Sequence, residues 1–294
     1  MRYASFFTLL LAFGAVAPSR SQDAVVDVNL RTVALSVEDE RGRPVIDLKP
    51  DDFVVIENGQ AKPVANLSLE THPVAVGLVL DRSISIAPVK NKLDRAVMHV
   101  IDATLDHDEL FLVTFARRGK LNVTLTAEHQ EILDAVRKSK LGLGSRLYNV
   151  ILDSLKYLST SSLQRRVLIV FSDGADHYSA HTLEEVRVAA MSFGVRIYML
   201  GHVGDDSRTW SERGRGEIQD QFDQLARSTG GRAFFSESET DCSDVALQIL
   251  QRSQYEYRID FYSSTSLRES VDAQVMLRQP GARRVIIGSR PRIS

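Results

Sequence analysis

The 294-residue sequence contains a single cysteine, Cys242. An internal disulfide is therefore excluded, as is a lipid anchor on a cysteine at a signal-peptide junction. Charge of one sign is equally scarce: 36 Lys and Arg stand against 38 Asp and Glu, a formal net charge of −2 with no like-charge run. That balance gives no electrostatic case for nucleic acid or an anionic membrane as partner. No apolar run reaches the roughly 20 residues that a spanning helix needs. The mostly apolar stretch from Phe6 to Val16 stops at Pro18 and, with Met1-Arg2 before it and the small-residue box Ala15-Val16-Ala17, reads as a secretory signal peptide over residues 1–17. After cleavage no membrane insertion is expected, and the protein should be secreted or periplasmic. Internal repeats, low-complexity tracts and long linkers are also lacking. What remains, 44% hydrophobic and 25% charged, suits one large core plus a smaller module.

The most informative stretch is the unbroken apolar run Val74 to Leu80, which ends in Asp81-Arg82-Ser83-Ile84-Ser85. Apolar positions without alternation suit a strand covered on both faces, as in a parallel sheet flanked by helices. In open α/β sheets, ligands bind at the carboxyl ends of such strands. Asp81, Ser83 and Ser85 offer three oxygens and no nitrogen or sulfur, a set for a hard divalent cation rather than zinc or copper. A plainer reading makes this a polar turn whose serines cap the next helix. Two later features weigh against it: Gly144-Ser145 in a loop before a helix, and Ser172-Asp173-Gly174 directly after the apolar strand Val167 to Phe171. Each puts an oxygen donor between strand and helix.

With these residues the chain resembles the von Willebrand factor type A domain and its metal-ion-dependent adhesion site, whose pattern is D-x-S-x-S, then Thr, then Asp. By the resemblance Asp81, Ser83 and Ser85 match the first element, Asp173 matches the last, and Ser145 stands where the family usually has Thr. Serine keeps the hydroxyl but loses a methyl that restricts its rotamer. The segment from Gly42-Arg43-Pro44-Val45 through Asp51-Asp52-Phe53 to Asn58-Gly59 looks like the β-rich lead-in of secreted bacterial proteins called von Willebrand factor A-related. Expected is a doubly wound, mostly parallel α/β sheet with a small β-sandwich-like module made by both ends of the chain. The boundaries are 24–71 for the N-terminal β module, 72–253 for the α/β domain, and 254–294 for C-terminal strands that pair with the first module.

Several details follow from pattern alone. Val26, Val28 and Leu30 alternate in one phase and Val33, Leu35 and Val37 in the other, which predicts a bulge or sheet switch near Arg31-Thr32. Asn58-Gly59 predicts a hairpin after Phe53 to Glu57, with Ala65, Leu67 and Leu69 on the return. Gly142 and Gly144 lack the residues of a phosphate loop and instead predict a tight turn that presents Ser145. His177 and His181 are four apart, yet Thr182 and Glu185 form a capping box that starts the helix after them, so zinc is not expected. By the resemblance Asp176 matches the second acid common after the family's Ser-Asp-Gly, while its plainer reading is a solvated loop acid. The polar stretch 201–216 reads as a surface loop beside the site, and Cys242 as a small side chain near a helix start with no redox role. Tyr255, Tyr257, Ile259 and Phe261 alternate as a core-facing strand.

Three hydroxyls and two carboxylates would crowd a six-coordinate ion, so some act through water and one position stays open. Mg²⁺ suits such a shell, with Mn²⁺ or Ca²⁺ as substitutes. The resemblance implies that an acidic side chain of a protein partner completes it. The expected function is metal-dependent protein binding without catalysis. The alternatives are a metal-assisted hydrolase using His177, or an envelope module without metal.

Overall fold

The computed structural model describes residues 29–40, 43–201, 212–235, 239–266, 273–279, 281 and 284–287. The expected signal peptide, Val26, Val28, Gly42, Val271 and residues 202–211 of the polar stretch lie outside them, as does the side chain of Cys242. Among the described residues, no helix is long and apolar enough to cross a membrane.

The front of the chain forms β1 (Leu30–Glu38), β2 (Phe53–Glu57), β3 (Gln60–Lys62) and β4 (Val64–Thr71). The phase break expected near Arg31-Thr32 is absent: β1 runs through both residues in unbroken register with its neighbour. Arg31 takes an inward position in line with Val33 and Leu35, and its guanidinium donates to the Ser266 carbonyl at 2.6 Å. The Asn58-Gly59 hairpin is present, with both residues at positive φ (49° and 81°), as a two-residue turn of this twist requires. Its return strand is the short β3, however. β4, with Leu67 and Leu69, leaves for another sheet.

The α/β layer runs β5 (Val74–Asp81), α1 (Lys90–Asp102), β6 (Glu109–Phe115), β7 (Gly119–Thr126), α2 (His129–Lys138), α3 (Leu147–Leu158), β8 (Arg165–Ser172), α4 (Leu183–Phe193), β9 (Arg196–Gly201), α5 (Glu212–Ser228), β10 (Ala233–Phe235) and α6 (Glu239–Gln254). The expected loop 201–216 is therefore shorter, since residues from Glu212 onward are helical. The sheet order is β10-β9-β8-β5-β6-β7, parallel except for the antiparallel edge strand β7. All eight residues of β5 are buried. Val74, Val76, Leu78 and Leu80 face α1, α2 and α6, while Ala75 and Val79 face α3, α4 and α5. Gly77 shares the second face, where a Cβ would sit 2.5 Å from both Leu168 and Phe111, so any larger residue would displace these side chains of the two flanking strands.

Strand order reverses at β5: the chain adds β6 and β7 on one side, then β8, β9 and β10 on the other. The helices that follow β5 and β8 depart to opposite faces, which opens a crevice beyond the carboxyl ends of these two strands.

β11 (Tyr255–Tyr262), β12 (Ala273–Leu277) and β13 (Arg284–Ile287) then return to the front module. β11 lies between β1 and β4 in the sheet β13-β1-β11-β4, and β12 pairs with β2 in the sheet β12-β2-β3. The two sheets share one core that includes Val33, Leu35, Phe53, Val55, Tyr257, Ile259 and Val275. Both ends of the chain thus build one β-sandwich, with the α/β layer inserted between its halves. Asp108 fastens the first and last elements of the inserted layer to each other: its carboxylate accepts from Val74 N (2.8 Å) at the start of β5 and from Gln254 Nε2 (2.7 Å) at the end of α6.

Candidate metal centre

The carboxyl ends of β5 and β8 and the loop between α2 and α3 meet at the crevice. Asp81 closes β5 fully buried, and its Oδ1 accepts the Ser83 N–H at 2.8 Å, which turns the chain sharply out of the strand. A 3-10 turn (Ile84–Val89) runs straight into α1. Ser83 heads this turn without a side-chain cap, and its Oγ lies 2.9 Å from Ser85 Oγ. The serines therefore face each other instead of capping the next helix.

The loop between α2 and α3 is fastened to this turn. Gly142 N–H donates to the Arg82 carbonyl at 2.7 Å, and Gly142 bridges Ser83 in parallel fashion. Gly144 has φ of 77°, as the tight turn before Ser145 requires, whereas Gly142 keeps an ordinary backbone and serves the bridge. Ser145 is 1% exposed, and its carbonyl accepts the N–H groups of His177 and Tyr178, each at 3.1 Å. One loop is thereby seated on the other.

Beyond β8, Asp173 is 2% exposed and its Oδ1 accepts the Ala175 N–H at 3.0 Å. Ser172 has a role that its sequence position did not assign: its Oγ donates to Asp81 Oδ2 at 2.7 Å and accepts from Gly174 N at 3.1 Å. It binds the ends of β5 and β8 together. The signal was its place in Ser172-Asp173-Gly174, directly after an apolar strand.

Two buried atoms in this cluster have no hydrogen-bond partner, Ser145 Oγ and Asp173 Oδ2. An unsatisfied buried polar group costs about 1–3 kcal/mol, so two such acceptors, one anionic, fit a hard cation. Among the described residues no three His, Cys, Asp and Glu side chains cluster as a metal site. The oxygen set offered here relies on hydroxyls for most of its donors.

Electrostatics points the same way. Burial, and then the Asp173 carboxylate, push the Asp81 carboxyl up to about 6, against the hydrogen bonds from Ser83 and Ser172. Two acids share the crevice, and burial together with their mutual repulsion outweighs the hydrogen bonds that favour the charged form of Asp81. Because the folded state holds this proton more tightly than the unfolded one, Asp81 contributes stability that is full below about pH 4 and lost as pH rises through 6. In EDTA, urea unfolding of the wild type and of Asp81→Asn should therefore diverge by on the order of 3 kcal/mol between pH 4 and pH 7. A pH-independent difference would remove this account.

The other expected residues separate from the cluster. Asp176 is half-buried and accepts the Leu147 N–H at 3.1 Å, capping the start of α3 from a distant loop. It is neither a solvated acid nor bonded to the donors above. His177 is exposed, and His181 pairs with Glu185 at 3.6 Å, while α4 starts after the Thr182–Glu185 capping box, so the two rings share no helical face. Among the described residues no carboxylate pairs with the His177 ring to orient it as a base.

No family model and no curated protein matches the chain. Solved structures do. A von Willebrand factor type A protein from Catenulispora acidiphila aligns at 10% identity over 88% of this chain and 72% of that one, with a TM-score of 0.54. The fold is that of a von Willebrand factor type A domain. The conserved hypothetical protein BatB from Bacteroides thetaiotaomicron aligns at 17% identity over 61% of this chain and 98% of that one, TM-score 0.50. Proximal thread matrix protein 1 from the mussel byssus aligns at 16% identity over 72% of this chain and 51% of that one, TM-score 0.50. BatB is covered almost whole by part of this chain. The larger share aligned with the Catenulispora protein exceeds what the α/β layer alone supplies, so that likeness extends into the flanking strands.

Proposed function

We propose that this type A domain is an exported, non-enzymatic adhesion module, binding a protein partner through a divalent cation held by Asp81, Ser83, Ser85, Ser145 and Asp173. The observation that carries the reading is the pair of unspent buried acceptors, Ser145 Oγ and Asp173 Oδ2, in the crevice at the strand-order reversal. Mg²⁺ is the preferred ion, with Mn²⁺ or Ca²⁺ as substitutes. When bound, the ion supplies positive charge that draws a carboxylate of the partner. The chain's own residues do the rest. Ser172 and the Ser83 N–H hold both oxygens of Asp81, the Ala175 N–H fixes Asp173, and the serine hydroxyls add oxygens without adding negative charge. With two carboxylates and three neutral hydroxyls the loaded site carries no net negative charge, so a carboxylate of the partner meets no net repulsion as it approaches the ion. Export rests on the N-terminal run ending in Ala15-Val16-Ala17.

Calorimetric titration with MgCl₂ and MnCl₂ tests the site, and capture of surface proteins in Mg²⁺ with release by EDTA tests the adhesion. Saturable heat is expected from the wild type, with affinity reduced about tenfold or more in Ser145→Ala. A thermal midpoint that rises with Mg²⁺ should accompany it. Absence of both the heat and the shift would overturn the reading.

A further inference from the structure

We propose that the rim of the crevice is a specificity surface that selects an acidic residue flanked by bulky apolar side chains, presented by an acidic segment of the partner protein. This rests on the metal-dependent reading above and names the partner that reading leaves open.

Each of the three loops carrying oxygen donors also leaves one large apolar side chain in water: Ile84 at 57% exposed, Leu143 at 76% and Tyr178 at 49%. Single exposed apolar residues are normal on a protein surface. Here one comes from each donor loop, and the loops are pinned together. Ile84 stands between Ser83 and Ser85, and the Ser83–Gly142 bridge brings its turn beside the loop of Leu143. Tyr178 N–H donates to the Ser145 carbonyl, and its ring fills the space over Gly144, where a Cβ would come within 2.7 Å of Cε2. The Arg117 guanidinium lies 5.1 Å from the centre of that ring, while Arg117 N–H donates to the Leu143 carbonyl at 3.1 Å. Backbone held this way loses little freedom on binding, which is what lets a small patch discriminate.

Charge indicates what covers the patch. Arg117 and Arg118 are both exposed at the turn after β6, and Arg117 lies against Tyr178 and bonds the Leu143 carbonyl. Cations next to an apolar rim suit a segment with more than one acid: one carboxylate for the ion, others for the arginines, and apolar neighbours against Ile84, Leu143 and Tyr178. Such complementarity steers encounter and rejects basic or purely polar segments. Tyrosine and arginine are also the side chains most often found to dominate binding energy at interfaces.

Random peptides displayed on phage, selected on the full chain in Mg²⁺ and eluted with EDTA, test this. Enrichment of Asp or Glu with Phe, Tyr, Trp, Leu, Ile or Met within two positions is expected. Recovery of those clones should fall by about tenfold on the double variant Ile84→Ser/Leu143→Ser. EDTA-eluted clones whose acid lacks apolar neighbours overturn the rim inference and leave the metal-dependent reading standing. Equal recovery on the double variant overturns the assignment of Ile84 and Leu143. A library yielding no EDTA-eluted clones, or clones without an acid, overturns both.

Discussion

Asp173→Asn should abolish Mg²⁺ binding, by a factor of about 100 or more, and should at the same time make the metal-free protein more stable. Both results come from the two oxygens of one side chain. Oδ1 accepts the Ala175 N–H, a bond that the amide oxygen of asparagine reproduces, so the loop after β8 keeps its turn. Oδ2 is buried with no partner, and the charge it carries is the second cause, after burial, of the raised Asp81 pKa. Replacing it removes a repulsion and an unsatisfied anion, worth about 1–2 kcal/mol in EDTA. Asp81 should then titrate nearer the usual carboxylate range, though burial still holds it up. Calorimetry reads the first effect and chemical unfolding in EDTA the second. Retained metal affinity would remove Asp173 from the site, and a less stable metal-free variant would mean that its carboxylate is satisfied by the protein alone.

The opposed signs also explain which parts of this molecule could be read in its sequence. The apolar run of β5 and the D-x-S-x-S string that follows it are local, and a strand buried on both faces leaves its polar residues only at the end. The Asn58-Gly59 hairpin and the Thr182–Glu185 box are local as well, because turn and cap chemistry act within four residues. What the sequence did not disclose depends on contacts between distant segments. Nothing near Leu67 and Leu69 records that β4 departs to pair with β11, almost 190 positions away, once the hairpin is closed by three residues. Arg31 occupies an inward place in β1 because the Ser266 carbonyl receives its guanidinium, and alternation counted without that acceptor reads as a phase break. Asp176 looked like a site acid or a solvated one until the start of α3 arrived beneath it.

Arg82 is the sharpest such case, and it carries the largest expected effect on folding. Inside the D-x-S-x-S string it fills an unassigned position, yet its side chain is 2% exposed. Nη2 meets Asp94 Oδ1 on α1 at 2.5 Å, Nε donates to Ser139 Oγ at 2.8 Å, and Nη1 reaches the Asp81 carbonyl at 3.3 Å. One cation thus joins the end of β5, the helix after it and the loop that brings Ser145. Burial pulls the Arg82 pKa down while Asp94 pulls it up, so the ion pair offsets a desolvation that it does not abolish. Removing one partner is then far worse than removing both. Asp94→Ala should cost about 3–5 kcal/mol, because it strands a buried guanidinium with only a serine and a carbonyl. Arg82→Met/Asp94→Leu should recover most of that stability, since apolar side chains of similar volume need no counter-charge. The same double variant should nevertheless bind Mg²⁺ more weakly than the wild type, as neither methionine nor leucine holds Ser139 and the Asp81 carbonyl in place. Unfolding midpoints of the wild type, both single variants and the double variant give the coupling energy directly. Additive losses would show that the pair merely fills space; coupled stability with undiminished metal affinity would confine Arg82 to folding and sever it from the site.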